Sequence, residues 1–279
     1  MNRLKILNIY IDNLTESELL EDLKSGIVFT PNIDHLMKLQ KDQEFFMAYQ
    51  VANYKICDGQ IIFFLSRFLG IPIKERISGS NFFPAFYQYH KNNENIRIFI
   101  LGAREGVAAK AQNKINLKVE RNIIVGVHSP SFAFEKNDEE CLKIVEIINQ
   151  SGATVLAVGL GAPKQEKFIC KYKDKLPNIK IFLAIGATID FEAGYLKRIP
   201  EWVMKIGMGF LYRLLSEPRR LWKRYLVEAP PFFCLILKQK FNLYVNPFSA
   251  NSVNETGDAG QLLGTAKTVN TPCKGKTIS

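Results

Sequence analysis

The chain has 279 residues, 47% hydrophobic and 23% charged, and carries 37 Lys+Arg against 27 Asp+Glu for a net charge of +10. Such proportions exclude wholesale disorder. No stretch reaches the ~20 apolar residues of a bilayer-spanning helix, and Met1-Asn2-Arg3-Leu4-Lys5-Ile6 does not read as the start of a secretory signal. The surplus charge is compatible with nucleic acid, an anionic membrane or phosphorylated substrates, and its distribution narrows the choice. Residues 195–245 hold ten basic side chains and three acids, a net +7, whereas the first 194 residues carry +2 and the last 34 carry +1. A nearly neutral body with one basic segment is not the pattern of an evenly basic nucleic-acid binder. Cys57, Cys141, Cys170, Cys234 and Cys273 form no CxxC pair, and His35, His90 and His128 show no HxxxH spacing. Neither a disulfide framework nor a zinc site is indicated, and a reduced cytosolic compartment is expected.

In chain order, β-branched and aromatic runs predict strands at Ile6–Tyr10, Ile27–Phe29, Tyr54–Cys57, Arg97–Leu101, Ile123–Val127, Thr154–Val158 and Lys180–Ile185. Between them, Leu14–Leu23 opens on a Thr15–Glu18 capping box. Amphipathic patterns predict one long helix over Asp34–Ala52 and others over Gly106–Lys118, Asp138–Gln150 and Pro163–Lys173. The alternation predicts an α/β domain with a mostly parallel sheet, ending near Gly194. Beyond it, Trp202, Val203, Ile206, Phe210, Leu214, Leu221 and Tyr225 recur at roughly helical spacing among arginines and lysines, and Pro218 splits or kinks the pattern. The expected organisation is an α/β domain over 1–194, a basic amphipathic helical appendage over 195–245 and a disordered polar tail over 246–279.

Five strings could carry chemistry, each beside a plain structural reading. Thr30-Pro31-Asn32-Ile33-Asp34-His35 follows a strand and could bind a sugar or phosphate there, or could merely cap a helix with Thr30 as N-cap and Pro31 at N1. Asp58 in Cys57-Asp58-Gly59-Gln60 could act as a general base or as an N-cap. Arg76-Ile77-Ser78-Gly79-Ser80-Asn81 suits an anion at a helix start or a surface turn. Gly159-Leu160-Gly161-Ala162-Pro163-Lys164-Gln165 lacks the third glycine of a dinucleotide fingerprint, leaving a Gly-rich turn whose Lys164 and Gln165 could face the strand ends. Gly186–Gly194 is a further strand-end loop holding Asp190. No DxD metal-nucleotide clamp, Walker A loop or Gly-x-Ser-x-Gly elbow occurs, and no cofactor is expected. Polar motifs at successive strand ends would converge on one edge of a parallel sheet.

Taken together, these strings, with Arg198-Ile199-Pro200-Glu201-Trp202, Gly209–Leu214 and Glu217-Pro218-Arg219-Arg220, resemble the WecG/TagA/CpsF glycosyltransferase family over roughly residues 1–240. The resemblance implies a Rossmann-like core with a basic C-terminal appendage that closes over the site. It implies inverting, metal-independent transfer of a sugar from a UDP-sugar to a polyprenyl-diphosphate-linked saccharide at the cytoplasmic membrane face, feeding wall teichoic acid, common antigen, capsule or exopolysaccharide. Asp58 is then the candidate general base, and Thr30, Asn32, Arg76 and Gln165 match positions lining the site. Arg213, Arg219, Arg220 and Arg224 are candidates to stabilise the leaving diphosphate, as fixed charges aimed at developing negative charge do. Val127–Phe132 departs from the family's Gly-Tyr-Phe-like segment. The expected partners are a UDP-sugar, the lipid-linked acceptor and an anionic membrane surface, with no nucleic acid, and a homo-oligomer is compatible. A nicotinamide oxidoreductase, a nucleic-acid-binding module and a noncatalytic membrane scaffold are the rival readings.

Overall fold

The computed structural model describes residues 3–196, 212 and 229–249. The expected helical pattern from Trp202 to Tyr225, the Pro218 break, the arginines Arg213, Arg219, Arg220 and Arg224, and the tail from residue 250 lie outside the described residues.

Among the described residues, six parallel strands form the central sheet: β3 (Gly26–Phe29), β4 (Tyr54–Lys55), β5 (Ile98–Gly102), β6 (Ile124–His128), β7 (Val155–Gly159) and β8 (Ile181–Ala184), in the spatial order β4-β3-β8-β7-β5-β6. The inner strands are legible in the sequence because strands covered on both faces read as continuous apolar runs, while the edge strands β4 and β6 are half-buried. β5 and β8 are buried at every position, as is β7 up to Val158. One apolar cluster fills each side of the sheet, the first around Phe29, Phe45, Leu101 and Phe182 and the second around Val28, Phe83, Ile100 and Leu183.

Two expectations fail at places the sequence does not punctuate. The strand at Ile6–Tyr10 is instead the turn of a hairpin: β1 (Arg3–Ile6) pairs antiparallel with β2 (Ile9–Asp12), and Leu7 takes a φ of 50° with no glycine to announce it. The helix over Asp34–Ala52 breaks into α2 (Ile33–Lys38) and α3 (Gln43–Gln50), because Asp42 turns out of the helix and accepts the Phe45 N–H at 3.0 Å as a new N-cap. The Thr15 capping box forms as predicted at the start of α1 (Glu16–Asp22) and is worth about 1 kcal/mol. The remaining helices are α4 (Gln60–Phe68), α5 (Gly79–Tyr89), α6 (Val107–Val119), α7 (Asp138–Gln150), α8 (Lys164–Tyr172), α9 (Thr188–Ala193) and α10 (Ala229–Lys240).

Helix α10, within the segment read as an appendage, packs back on the body. Its Phe232 and Ile236 are buried in the first cluster. The Gln239 side chain accepts the Leu7 N–H at 2.7 Å and donates to Lys5 O at 2.8 Å. Tyr244 donates to Gln40 at 2.6 Å, and Phe248 stacks on Phe46 with ring centroids 5.2 Å apart.

Candidate active site

Strand order decides which loops meet. β3 lies between β4 and β8, so the chain leaving each of these three strands emerges on the same edge. After β3 come Thr30, which is buried, and Asn32, whose side chain accepts the His35 N–H at 3.3 Å as the N-cap of α2. The capping alternative therefore falls to Asn32 rather than Thr30, and Pro31 precedes the helix instead of starting it. After β4 comes Asp58, whose N–H donates to Pro31 O at 3.3 Å and ties the two loops together. The N-cap of α4 is Gly59, so Asp58 stands one residue ahead of the helix and is not its cap.

Arg76 reaches the same point, donating from Nη1 to the Asp58 carbonyl at 3.4 Å. Two residues on, Ser78 opens α5, which begins against both other loops: a Cβ on Gly79 would lie 3.5 Å from Ile185 O and 3.7 Å from Thr30 Cγ2. A Cβ on Gly59 would likewise stand 3.6 Å from Asn32 Cα. Neither α4 nor α5 has a side-chain cap, so the first-turn N–H groups of both put partial positive charge beside Asp58 and Arg76. Cys57 adjoins this group as a thiol, not a thiolate, since burial and the Asp58 charge push its pKa up to about 12.

Gln165 is brought to this edge from α8. It is only 2% exposed. Its Oε1 accepts the Gly186 N–H at 3.1 Å and its Nε2 donates to Glu166 Oε1 at 2.8 Å, so the amide joins the first turn of α8 to the turn after β8. Lys164 is paired with Glu135 at 2.7 Å. Asp190 lies in α9, directly after the Gly186 turn.

Two features escape the sequence reading. The chain runs from β5 outward to β6 and then returns to β7 on the other side of β5, so the topological switch of the sheet lies between β5 and β7, a favoured place for ligands. The Gly102-Ala103-Arg104-Glu105-Gly106 turn stands there, and its paired glycines between a strand and a helix were the available signal. The second is Glu166, fully buried, with its pKa pushed up to about 7 by desolvation. Beneath it His35 Nδ1 and the Tyr49 hydroxyl are 2.7 Å apart, and burial together with the Glu166, Asp34 and Asp58 charges holds Tyr49 well above its ordinary range.

The sequence profile of the Glycosyl transferase WecG/TagA/CpsF family matches residues 4–246. The chain belongs to that family. It is 27% identical over 236 residues to the N-acetylglucosaminyldiphosphoundecaprenol N-acetyl-beta-D-mannosaminyltransferase of Bacillus subtilis (strain 168), covering 85% of this chain and 88% of that relative. The transferase of the same description from Bacillus spizizenii is 25% identical over 234 residues, with 84% and 87% covered. The protein is thus a glycosyltransferase, and the family resemblance seen in its motifs holds along nearly the whole described chain. Among the described residues no group of three or more His, Cys, Asp or Glu is placed to hold a metal ion, and no helix is long and apolar enough to cross a membrane.

Proposed function

We propose that the chain is an inverting, metal-independent hexosyltransferase that moves a hexose, an N-acetylhexosamine or its uronic acid from a UDP-sugar to a polyprenyl-diphosphate-linked saccharide in cell-surface polysaccharide synthesis. The observation that carries this reading is the meeting of Asp58, Arg76, Thr30 and Asn32 where β3 and β4 end. The names of the two Bacillus relatives support the acceptor class, an N-acetylglucosamine on a diphosphate-linked polyprenol. Asp58 takes the proton of the acceptor hydroxyl as its oxygen bonds to the anomeric carbon from the face opposite UDP. The bond to UDP breaks in the same step, and UDP departs with the electron pair. Arg76 and the uncapped starts of α4 and α5 offset the charge that develops, joined by Arg213, Arg219, Arg220 and Arg224 from the basic segment. Thr30 and Asn32 bind sugar hydroxyls, and Gln165 shapes the pocket from below. UDP release across a panel of UDP-hexoses and UDP-N-acetylhexosamines, with a short-chain polyprenyl-diphosphate N-acetylglucosamine as acceptor, tests this. One donor should support turnover that excess EDTA leaves unchanged; no release with any pair rejects the assignment.

In this reading the enzyme works on a lipid-linked acceptor at the cytoplasmic face of the membrane. Phe233, Leu237 and Phe241 are exposed around α10, beside Lys238 and Lys240. Phe64 and Phe68 of α4 are exposed as well, and Lys240 donates to Phe68 O at 2.9 Å, so the two helices present their apolar side chains next to each other. Aromatic residues interleaved with lysines suit the interface of an anionic bilayer. Replacing Phe233 and Leu237 by serine should lower co-sedimentation with anionic liposomes by about tenfold or more. Equal binding by the variant and the parent chain would remove this surface from the proposal.

A further inference from the structure

Glu166 stands between the loops of the transfer site and is used by none of the steps above. It is fully buried on α8, and its Oε2 has no hydrogen-bond partner among the described residues. Its Oε1 receives the Gln165 amide at 2.8 Å, and the other end of that amide holds the Gly186 N–H. From α2, His35 Nδ1 lies 4.0 Å from Oε1, with Asp34 and Lys38 also in electrostatic reach. From α3, Tyr49 faces His35 at 2.7 Å. Lys38, the nearby lysine, is engaged with Asp34 at 2.8 Å and with Ala162 O at 3.0 Å. A carboxylic acid placed so keeps the Gln165 clamp as a neutral acceptor. A carboxylate there is a desolvated negative charge whose nearest potential cation is the His35 ring, 4.0 Å from Oε1 and engaged with Tyr49.

We propose that Glu166 is a positioning residue of the transfer site that works uncharged: it holds Gln165 against the Gly186 turn, and loss of its proton sets a buried negative charge under the loops that receive the donor's diphosphate. This rests on the UDP-sugar reading. Its consequence is a donor KM that rises with pH while kcat does not follow. Burial moves the carboxyl from 4.5 to about 7. The folded protein thus binds this proton more tightly than the unfolded chain does. The stability it confers is complete below about pH 4.5 and is lost as pH rises through about 7.

The experiment compares the full chain with Glu166→Gln, which keeps the shape and the acceptor oxygen but cannot ionise. In the parent chain the donor KM should rise about tenfold between about pH 6 and pH 8. In E166Q it should stay at its low-pH value, while kcat at each pH is the same in both. Superimposable KM profiles would overturn the proposal. If the parent chain releases no UDP from any donor, that failure strikes the functional reading alone. The clamp is then read from thermal unfolding, where the parent's Tm should fall from about pH 6 to pH 8 and that of E166Q should not; parallel Tm curves would overturn it. Should E166Q fail to fold, carboxyl-carbon NMR of the parent chain decides between a Glu titrating near 7, as expected, and none above the ordinary carboxylate range, which would overturn the proposal.

Discussion

Asp58→Asn slows UDP release by about 10²–10⁴-fold, the usual contribution of a positioned general base. Asparagine has the shape of aspartate and fills the same space after β4, but its amide cannot take a proton from a sugar hydroxyl. The backbone link from the Asp58 N–H to Pro31 O and the Arg76 bond to the residue 58 carbonyl do not involve the side chain, so both survive the substitution. The loss should therefore appear in kcat, with donor KM and Tm close to those of the parent chain. Steady-state UDP release and a thermal melt on the same sample check this. A loss smaller than about tenfold would assign the base to another residue. A fall in Tm together with activity would make Asp58 a structural residue at the strand end.

Gly102→Ala destabilises the fold by about 3 kcal/mol or more. Gly102 has a φ of +128°, which L side chains rarely adopt, and a Cβ there would stand 2.4 Å from Gly159 O. The obstacle is backbone, directly opposite in the β5–β7 ladder, so no rotamer change relieves it. Gly159 is itself hemmed in, since a Cβ on it would meet Ile189 Cδ1 at 2.4 Å and Gly186 O at 2.6 Å. Strain at residue 102 therefore passes to the Gly186 turn that Gln165 holds. At about 2–4 °C per kcal/mol, Tm should fall by roughly 6–12 °C. Gly70→Ala is the control, because Gly70 also has a positive φ, +87°, but nothing lies within 4 Å of its Cβ position. Equal shifts for the two variants would show that left-handed backbone strain, not the close approach of β5 and β7, makes glycine necessary.

Much of this fold is written in local pattern. The inner strands β5, β7 and β8 can be read from the chain because a strand buried on both faces leaves an uninterrupted apolar run bounded by polar turns, whereas the edge strands β4 and β6 are only half-buried. The hairpin cannot be read so, because Leu7 enters the left-handed region without a glycine and Ile6, Ile9 and Ile11 are all buried, so the apolar spacing bridges the turn. The break between α2 and α3 is equally silent: Leu39 to Asp42 contains neither glycine nor proline, and only the Asp42 cap marks it.

The candidate site divides in the same way. Thr30, Asn32, Asp58 and Arg76 announce themselves as polar residues just after strands or before helices, and they do meet. The same signal is ambiguous for Gln165, whose amide is spent on Gly186 and Glu166 inside the protein. Glu166 gives no signal at all, since a glutamate in the first turn of an amphipathic helix is ordinary until it is found buried beside His35 and Tyr49.

Sequence pattern alone was enough for the α/β class, the chemistry offered at each strand end and the segregation of positive charge after Gly194, because periodicity, capping and charge are properties of neighbouring residues. Strand order is not of that kind. Placing β3 between β4 and β8 follows from how the crossover helices cover both faces of one sheet, a balance of burial over the whole domain. That placement carries Asp58, Arg76 and the Gly186 turn to one edge. It also buries Glu166 beneath them, where desolvation changes an unremarkable acid into a group that titrates near neutrality.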